Sequence, residues 1–276
     1  MRSTPLAARF AAAPAWLVAG AALVAGAALV AGAGCYAPRI EPGSACTTVC
    51  PGGLVCIAGT CVAEDDGDGP DLTRSLVAHW RFDDDPEDGV FDSSGRGHHA
   101  TCQECPELVI GRMGGGYEFD AIFEEIIVVP DHPDFRGPYT IAAWIYAESA
   151  GEGEQMAILS KPFGSGTGNS WQLELLGDGA VSLSGGDPHS LSSGGPLPAR
   201  EWHHVAGRFD GVEKELFIDG KEVKEVDATV EYDGHAIYLG GDQNGGAEVL
   251  HWDGVIDDVR IYSRALEDAE IEALAQ

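Results

Sequence analysis

Basic residues are scarce. Only 16 Lys and Arg stand against 45 Asp and Glu in 276 residues, for a formal charge of −29. Binding a nucleic-acid backbone needs clustered cations that displace counterions, so this balance excludes nucleic acid as a partner. It equally excludes a polybasic patch for anionic lipid. Helical periodicity is almost absent, and so are the common catalytic signatures. The chain has no G-x-S-x-G nucleophile elbow, no H-E-x-x-H and no phosphate loop. A hydrophobic fraction of 44% nevertheless rules out a wholly disordered chain, and the length suits one sizeable core or two small ones.

The N-terminus reads as an address. Arg2 and Arg9 are the only charges before Arg39, and an Ala/Gly/Val/Leu run follows them, in which Val18–Leu23 (VAGAAL) recurs at Val24–Leu29. A basic start, an apolar run and small residues at its end describe a secretory signal over residues 1–34. The run is long enough for a retained membrane anchor to stand as an alternative, beside a plainly cleaved signal. Gly32-Ala33-Gly34-Cys35 resembles the lipobox of bacterial lipoproteins, with Gly32 where an aliphatic residue is usual. That resemblance implies lipidation of Cys35, a tether over residues 35–45, and a membrane partner reached through the lipid. The expected location follows: export across the inner membrane and lipid anchoring at the cell envelope or surface.

Setting Cys35 aside leaves six cysteines, an even number, which outside the cytoplasm points to disulfides. Cys46, Cys50, Cys56 and Cys61 crowd into residues 46–62, a segment with too little apolar mass for its own core, so covalent staples are expected there. The spacing leaves the connectivity open, and zinc is the alternative. Cys102 and Cys105 follow His98 and His99. A small disulfide pinning a loop is expected, with a His/Cys metal site or a redox dithiol as alternatives. Residues 63–74 begin with Glu64-Asp65-Asp66-Gly67-Asp68-Gly69-Pro70-Asp71, a solvated and self-repelling acidic linker.

From residue 75 the pattern changes. Leu76–Phe82 alternates Leu76, Ala78, Trp80 and Phe82 against Val77, His79 and Arg81, the period of a strand. About ten similar short runs follow. Asp178-Gly179, Asp210-Gly211, Asp219-Gly220 and Asp233-Gly234 stand between several of them, a pair suited to hairpin turns. Only residues 266–275 space their apolar side chains as a helix, with Glu267, Asp268 and Glu270 at its positive end. The expected fold is all-β: a two-sheet antiparallel jellyroll sandwich over 75–276, a small disulfide-rich segment before it and a short C-terminal helix after it.

Several segments also carry a family resemblance. Asp92-Ser93-Ser94-Gly95-Arg96-Gly97-His98-His99, Gly114–Asp120, Tyr139–Ile145, Trp202-His203-His204-Val205-Ala206, Leu216–Gly220 and Gly254–Leu266 resemble, in order, the conserved elements of laminin-G-like, concanavalin A-like jellyroll domains. The resemblance implies a structural calcium held by the side chains of Asp92 and Asp257 with backbone carbonyls near Arg96 and His98. An acid followed by a Ser/Gly-rich turn does offer hard oxygen donors. The bland alternative has Asp92 capping a turn and Asp257 in a surface ion pair. The run Asp83-Asp84-Asp85-Pro86-Glu87-Asp88 is a poorer second candidate.

Catalysis finds little support in the sequence. The E-x-D-x-x-E strand of the enzymes that share this sandwich is absent, Glu213 and Glu215 flank a turn, and Asp253 and Asp257 compete with the metal reading. His203 and His204 alternate on one strand, so one is expected inside and one outside. Trp80, Trp144 and Trp202 fit a core pattern. Trp171 and Trp252 are the candidate sugar platforms, although a core position suits them as well. The loop Gly164–Ser170 and the segment Gly185–Leu197 are long and polar, and loops carry binding on such scaffolds. The expected function is non-catalytic recognition of a glycan or an extracellular protein. The rivals are an envelope adhesion protein working through protein contacts and an atypical polysaccharide-active enzyme.

Overall fold

The computed structural model describes residues 69–276, apart from 150–152, 167 and 188–189, together with the backbone of the strands Leu54–Ile57 and Thr60–Ala63. The chain divides into two compact units, Met1–Glu64 and Asp65–Gln276. In the first, the two strands form an antiparallel pair with Cys56 opposite Cys61 in register. The signal, Cys35, Cys46 and Cys50 lie outside the described residues, and so do the side chains of Cys56 and Cys61.

The second unit is the sandwich. One sheet has seven strands, ordered Ser190–Pro196, Ala180–Ser184, Gly168–Leu175, Met156–Phe163, Ile237–Leu239, Ile127–Val129 and Thr101–Cys102. The other has eight. Seven run Lys221–Asp227, Glu213–Ile218, Trp202–Phe209, Tyr139–Ala147, Gly254–Tyr262, Gly115–Phe119 and Glu107–Ile110, while Leu76–Trp80 pairs with the distal half of Gly254–Tyr262. Pairing is antiparallel throughout, which allows the short Asp-Gly connections. Asp219 and Gly220 take φ of 51° and 74°, the pair of positive values that a tight two-residue hairpin needs. Asp233-Gly234 makes no such turn. Asp233 instead accepts hydrogen bonds from the Gly164 and His235 amides.

Strand parity builds the core. Trp171, Leu173 and Leu175 from the first sheet meet Tyr139, Ile141, Ala143, Ile145 and Val205 from the second. Gly207 lets the sheets approach, since a Cβ there would lie 2.7 Å from Leu183 Cδ1. A second cluster lies on the outer side of the eight-stranded sheet, where the helix Asp268–Leu274 packs Ile271 and Leu274 on Ala142, Ala206, Phe217 and Tyr262. Glu270 fixes the start of that helix. Its carboxylate accepts the Glu267 amide at 2.7 Å and pairs with both terminal nitrogens of Arg264.

Several expectations shift. The linker ends earlier than residue 74, because Leu72 packs on the helix cluster and its carbonyl accepts Tyr262 Oη at 3.1 Å. Ser190–Pro196 and Lys221–Asp227 lie at sheet edges and send few side chains into the core, Leu191 from the first and Val226 from the second, so neither shows an apolar face in its sequence. Trp144 and Trp202 point away from the main core, as parity with Ile141, Ala143, Ile145 and Val205 requires. The Arg112 guanidinium, 4.5 Å from its ring, and the His204 ring cover Trp144. His203 and His204 do take opposite faces, yet both are buried. His203 meets Asp219 at 3.0 Å, and the outward His204 is the more enclosed of the two.

Candidate functional site

Cys102 and Cys105 are disulfide-bonded, with Cα atoms 5.1 Å apart. That consumes the thiols of the His/Cys and dithiol alternatives.

The Asp92 turn is built around its carboxylate. Oδ1 accepts the amides of His79 (2.9 Å) and Ser94 (2.8 Å); Oδ2 accepts Ser94 Oγ (2.8 Å) and the His98 amide (2.9 Å). Burial raises the Asp92 pKa, but these donors outweigh it and hold the group below its ordinary value. The His98 carbonyl accepts Trp80 Nε1 at 3.0 Å, and the Arg96 amide donates to Ser94 Oγ.

Asp257 sits elsewhere in this network. A bulge at Asp257–Arg260, with Asp258 at φ 50°, sends successive acids to different partners. Asp257 Oδ2 accepts the amides of Arg112 (2.8 Å) and Met113 (2.7 Å), while Asp258 meets His79 Nε2 at 2.6 Å. Burial pushes the Asp257 carboxyl up to about 6.

As a calcium cage this set does not fit. Calcium takes six to eight oxygens. Both Asp92 oxygens already take two donors each, the His98 carbonyl is engaged, and no hydrogen bond among the described residues joins Asp257 to the Asp92 turn. Adding calcium to the metal-stripped chain is therefore expected to leave its thermal midpoint unmoved. A saturable rise that disappears in Asp92→Asn would show that the turn opens to hold the ion.

Neither candidate sugar platform faces solvent. Trp171 and Trp252 are 1% and 0% exposed and belong to the main core. Strand parity turns Trp171 inward and its polar neighbour Gln172 outward. Arg208 grips Glu215 through Nε and Nη2, and Asp253 precedes the strand that carries Asp257.

A different feature collects the unspent polar groups. On the outer face of the seven-stranded sheet, Gln172 and Glu174 alternate with the core residues of their strand, and Ser182 and Ser184 do so on the next. Such a face is ordinarily wet, yet Gln172 and Glu174 are each 2% exposed. The hairpin of Asp242–Asn244 and Ala247–Val249 adds its own polar side chains there, with Ser160 Oγ donating to the Gly241 carbonyl at 3.1 Å and Asn169 Nδ2 to Asp242 Oδ2 at 3.3 Å. Gln155 donates to Glu174, and burial lifts the Glu174 carboxyl above its ordinary value. Among the buried side-chain atoms of the described residues without a hydrogen-bond partner, four cluster here: Asn169 Oδ1, Gln172 Nε2, Asp242 Oδ1 and Asn244 Oδ1.

All four residues line one groove of 560 Å³. It continues both ways. Gln155 and Leu250 also line a 770 Å³ depression reaching Ile122 and Asp253, and Gly168 and Asn169 a 560 Å³ one reaching Asp187 and Glu231. The two polar loops marked in the sequence thus border the groove, through Gly168 and Asn169 from one and Gly185 and Ser190 from the other. Among the described residues no Lys or Arg lines any of the three depressions, while Lys214 Nζ donates to the Gly185 carbonyl at 2.6 Å.

Comparison with known proteins places this sandwich. No curated protein matches the chain. Among solved structures it is similar to the binding domain of Paraclostridial Mosquitocidal Protein 1, at 17% identity and TM-score 0.60 over 74% of this chain and 52% of that one. It is similar to Domain 4 of AbnA, an extracellular arabinanase from Geobacillus stearothermophilus solved with arabinotriose, at 20% identity and TM-score 0.57 over 73% of this chain and 98% of that one. It is similar also to Trypanosoma rangeli sialidase, at 18% identity and TM-score 0.59 over 84% of this chain and 36% of that one. The chain therefore spans about half of the first structure and about a third of the sialidase. At these identities the likeness is one of fold. The family model matches residues 124–272, more than half of the sequence and most of the sandwich, so the chain belongs to the concanavalin A-like lectin/glucanases superfamily.

Proposed function

We propose that the protein is a non-catalytic binding module for neutral oligosaccharides, and that the groove on the outer face of the seven-stranded sheet is its site. The observation that carries this reading is the set of buried, unpartnered polar atoms on Asn169, Gln172, Asp242 and Asn244. Leaving such an atom unsatisfied costs about 1–3 kcal/mol, so four in one groove favour a ligand that pairs with them. Amide groups donate to and accept from sugar hydroxyls, and carboxylates accept from them. Among the described residues the lining carries Glu174, Asp242, Asp187 and Glu231 and no Lys or Arg, so a uronic or sialic carboxylate in it would meet like charge. Three joined depressions suit a chain of sugars rather than one ring. The similarity over nearly all of an arabinanase domain solved with arabinotriose supports a binding role. The sequence features around Cys35 support the further reading that the module is exported and held at an envelope surface by lipid.

The test is a glycan panel of neutral and acidic oligosaccharides, read by calorimetry on the full chain. Saturable binding to a neutral member is expected, weakened about tenfold or more in Gln172→Ala, roughly the loss of one buried hydrogen bond. Binding unchanged in both Gln172→Ala and Asp242→Ala would remove the groove, and a preference for acidic sugars would remove the specificity. Release of new reducing ends would instead make Glu174 and Asp242 catalytic.

A further inference from the structure

The His98 ring, as distinct from its carbonyl, meets partners that lie far along the chain. Its Nε2 is 3.3 Å from Asp134 Oδ2, and Asp134 Oδ1 is 3.4 Å from His132 Nδ1. The two imidazoles stand 4.6 Å apart, centre to centre. One ligating atom from each of the three residues falls within 4.8 Å of the others.

Each member is held in place by something other than its partner. The Asp92 carboxylate accepts the His98 amide and the His98 carbonyl accepts Trp80 Nε1, so the His98 backbone is clamped on both sides. The Phe135 ring packs 4.7 Å from the His98 ring. His132 caps the single turn Pro133–Phe135, which carries Asp134 and whose first residue fixes the backbone; His132 Nδ1 accepts the Asp134 amide at 3.3 Å, a bond that a metal held through Nδ1 would replace. Neighbouring His99 is committed elsewhere, its Nδ1 accepting the Asp92 amide.

As ion pairs these contacts are poor. Charge-assisted N–H···O bonds are about 2.7–2.9 Å, and here one carboxylate is spread between two rings at longer range. Each imidazole instead lies at ligand spacing from a different oxygen of Asp134, 3.3 Å for His98 Nε2 and 3.4 Å for His132 Nδ1. Nitrogen and oxygen ligands at about 2.0–2.2 Å from a tetrahedral zinc ion lie roughly 3.3–3.5 Å from one another. Two imidazoles and one carboxylate form a borderline set, suited to zinc and its neighbours and unsuited to calcium, which prefers oxygen alone. The His98 side chain is 9% exposed, against 48% for His132 and 33% for Asp134, so the cluster is closed beneath and open above. Three protein ligands with an open outer side leave room for a water or an external donor.

We propose that His98, His132 and Asp134 form a binding site for a zinc-class divalent metal, which ties the Asp92–His99 turn to the Pro133–Phe135 turn. The site is independent of the sugar groove, and its loss would leave the sugar-binding reading untouched.

The test is a titration of zinc into the full chain, stripped of metal and with its disulfides intact, read by calorimetry and thermal unfolding. One equivalent is expected to bind at this site. The midpoint should rise by roughly 5–10 °C when free zinc exceeds Kd a hundredfold. His132→Ala and Asp134→Asn both alter exposed or half-exposed side chains and should fold, and each is expected to lose that equivalent and that rise. Cobalt bound in place of zinc should show weak visible bands without the intense thiolate transition that cysteine ligands give. Zinc binding of equal strength in both variants, a thiolate band, or no binding by the unaltered chain would each overturn the proposal.

Discussion

Asp92→Ala is expected to destabilise the sandwich by on the order of 4 kcal/mol, lowering the thermal midpoint by roughly 8–16 °C. The carboxylate is 7% exposed and takes four hydrogen bonds from three residues. Truncation leaves the half-buried amides of His79, Ser94 and His98 without this acceptor. The damage should spread, because the His79 amide belongs to the strand Leu76–Trp80 and the Ser93 amide donates to the His79 carbonyl at 2.7 Å. Asp92→Asn tests the account more finely. Its one carbonyl oxygen can keep the two bonds of Oδ1, while its NH2 group faces the His98 amide with no acceptor to offer. It should fall about midway between the parent and Asp92→Ala in thermal melts. Equal midpoints for all three proteins would mean that the turn is held by other contacts.

Acid is expected to weaken the fold through His204, by on the order of 3 kcal/mol between pH 6.5 and pH 4. Burial pushes this imidazole down to about 4, with Arg260 adding to the effect and Asp258 and Asp219 opposing it. The sign follows from which state takes the proton. Below about 6.5 the unfolded chain protonates its histidine, whereas the folded one refuses until about 4. Stability is therefore full above pH 6.5 and declines through that window. His204→Gln has no group titrating there, so its urea-unfolding free energy should cross the parent's curve more shallowly. The carboxylates contribute to both proteins and cancel in the difference. Parallel curves would show that His204 reaches water in the native state.

Much of this architecture can be read from residue order. Leu76–Trp80, Tyr139–Ala147 and Trp202–Phe209 alternate because one face of each enters the core, and the Asp-Gly pairs mark three of the turns. Edge strands escape notice for the same reason. Ser190–Pro196 has one side chain in the core, Leu191, so it has no alternation to display. The groove was half legible. Parity alone places Gln172 and Glu174 on the outer face, but their burial depends on a hairpin about seventy residues further on, and no local pattern reports such a covering. Trp171 and Trp252 take the core position, because a polar neighbour in sequence alternates to the other face of a strand and says nothing of the ring's own exposure. His98 and His132 are distant in the chain, and only the Asp92 clamp and the Pro133 turn bring their rings together.

The edge strand Lys221–Asp227 has a consequence for crowding. Its sequence, KEVKEVD, places five charged side chains among seven residues at the open margin of the eight-stranded sheet. A second copy sliding alongside would have to bury several of those charges to continue the ladder, and antiparallel self-pairing would set Glu near Glu or Lys near Lys in many registers. The margin thus refuses to template further strands. Copies of the domain packed densely side by side can stay separate, each with its own groove open.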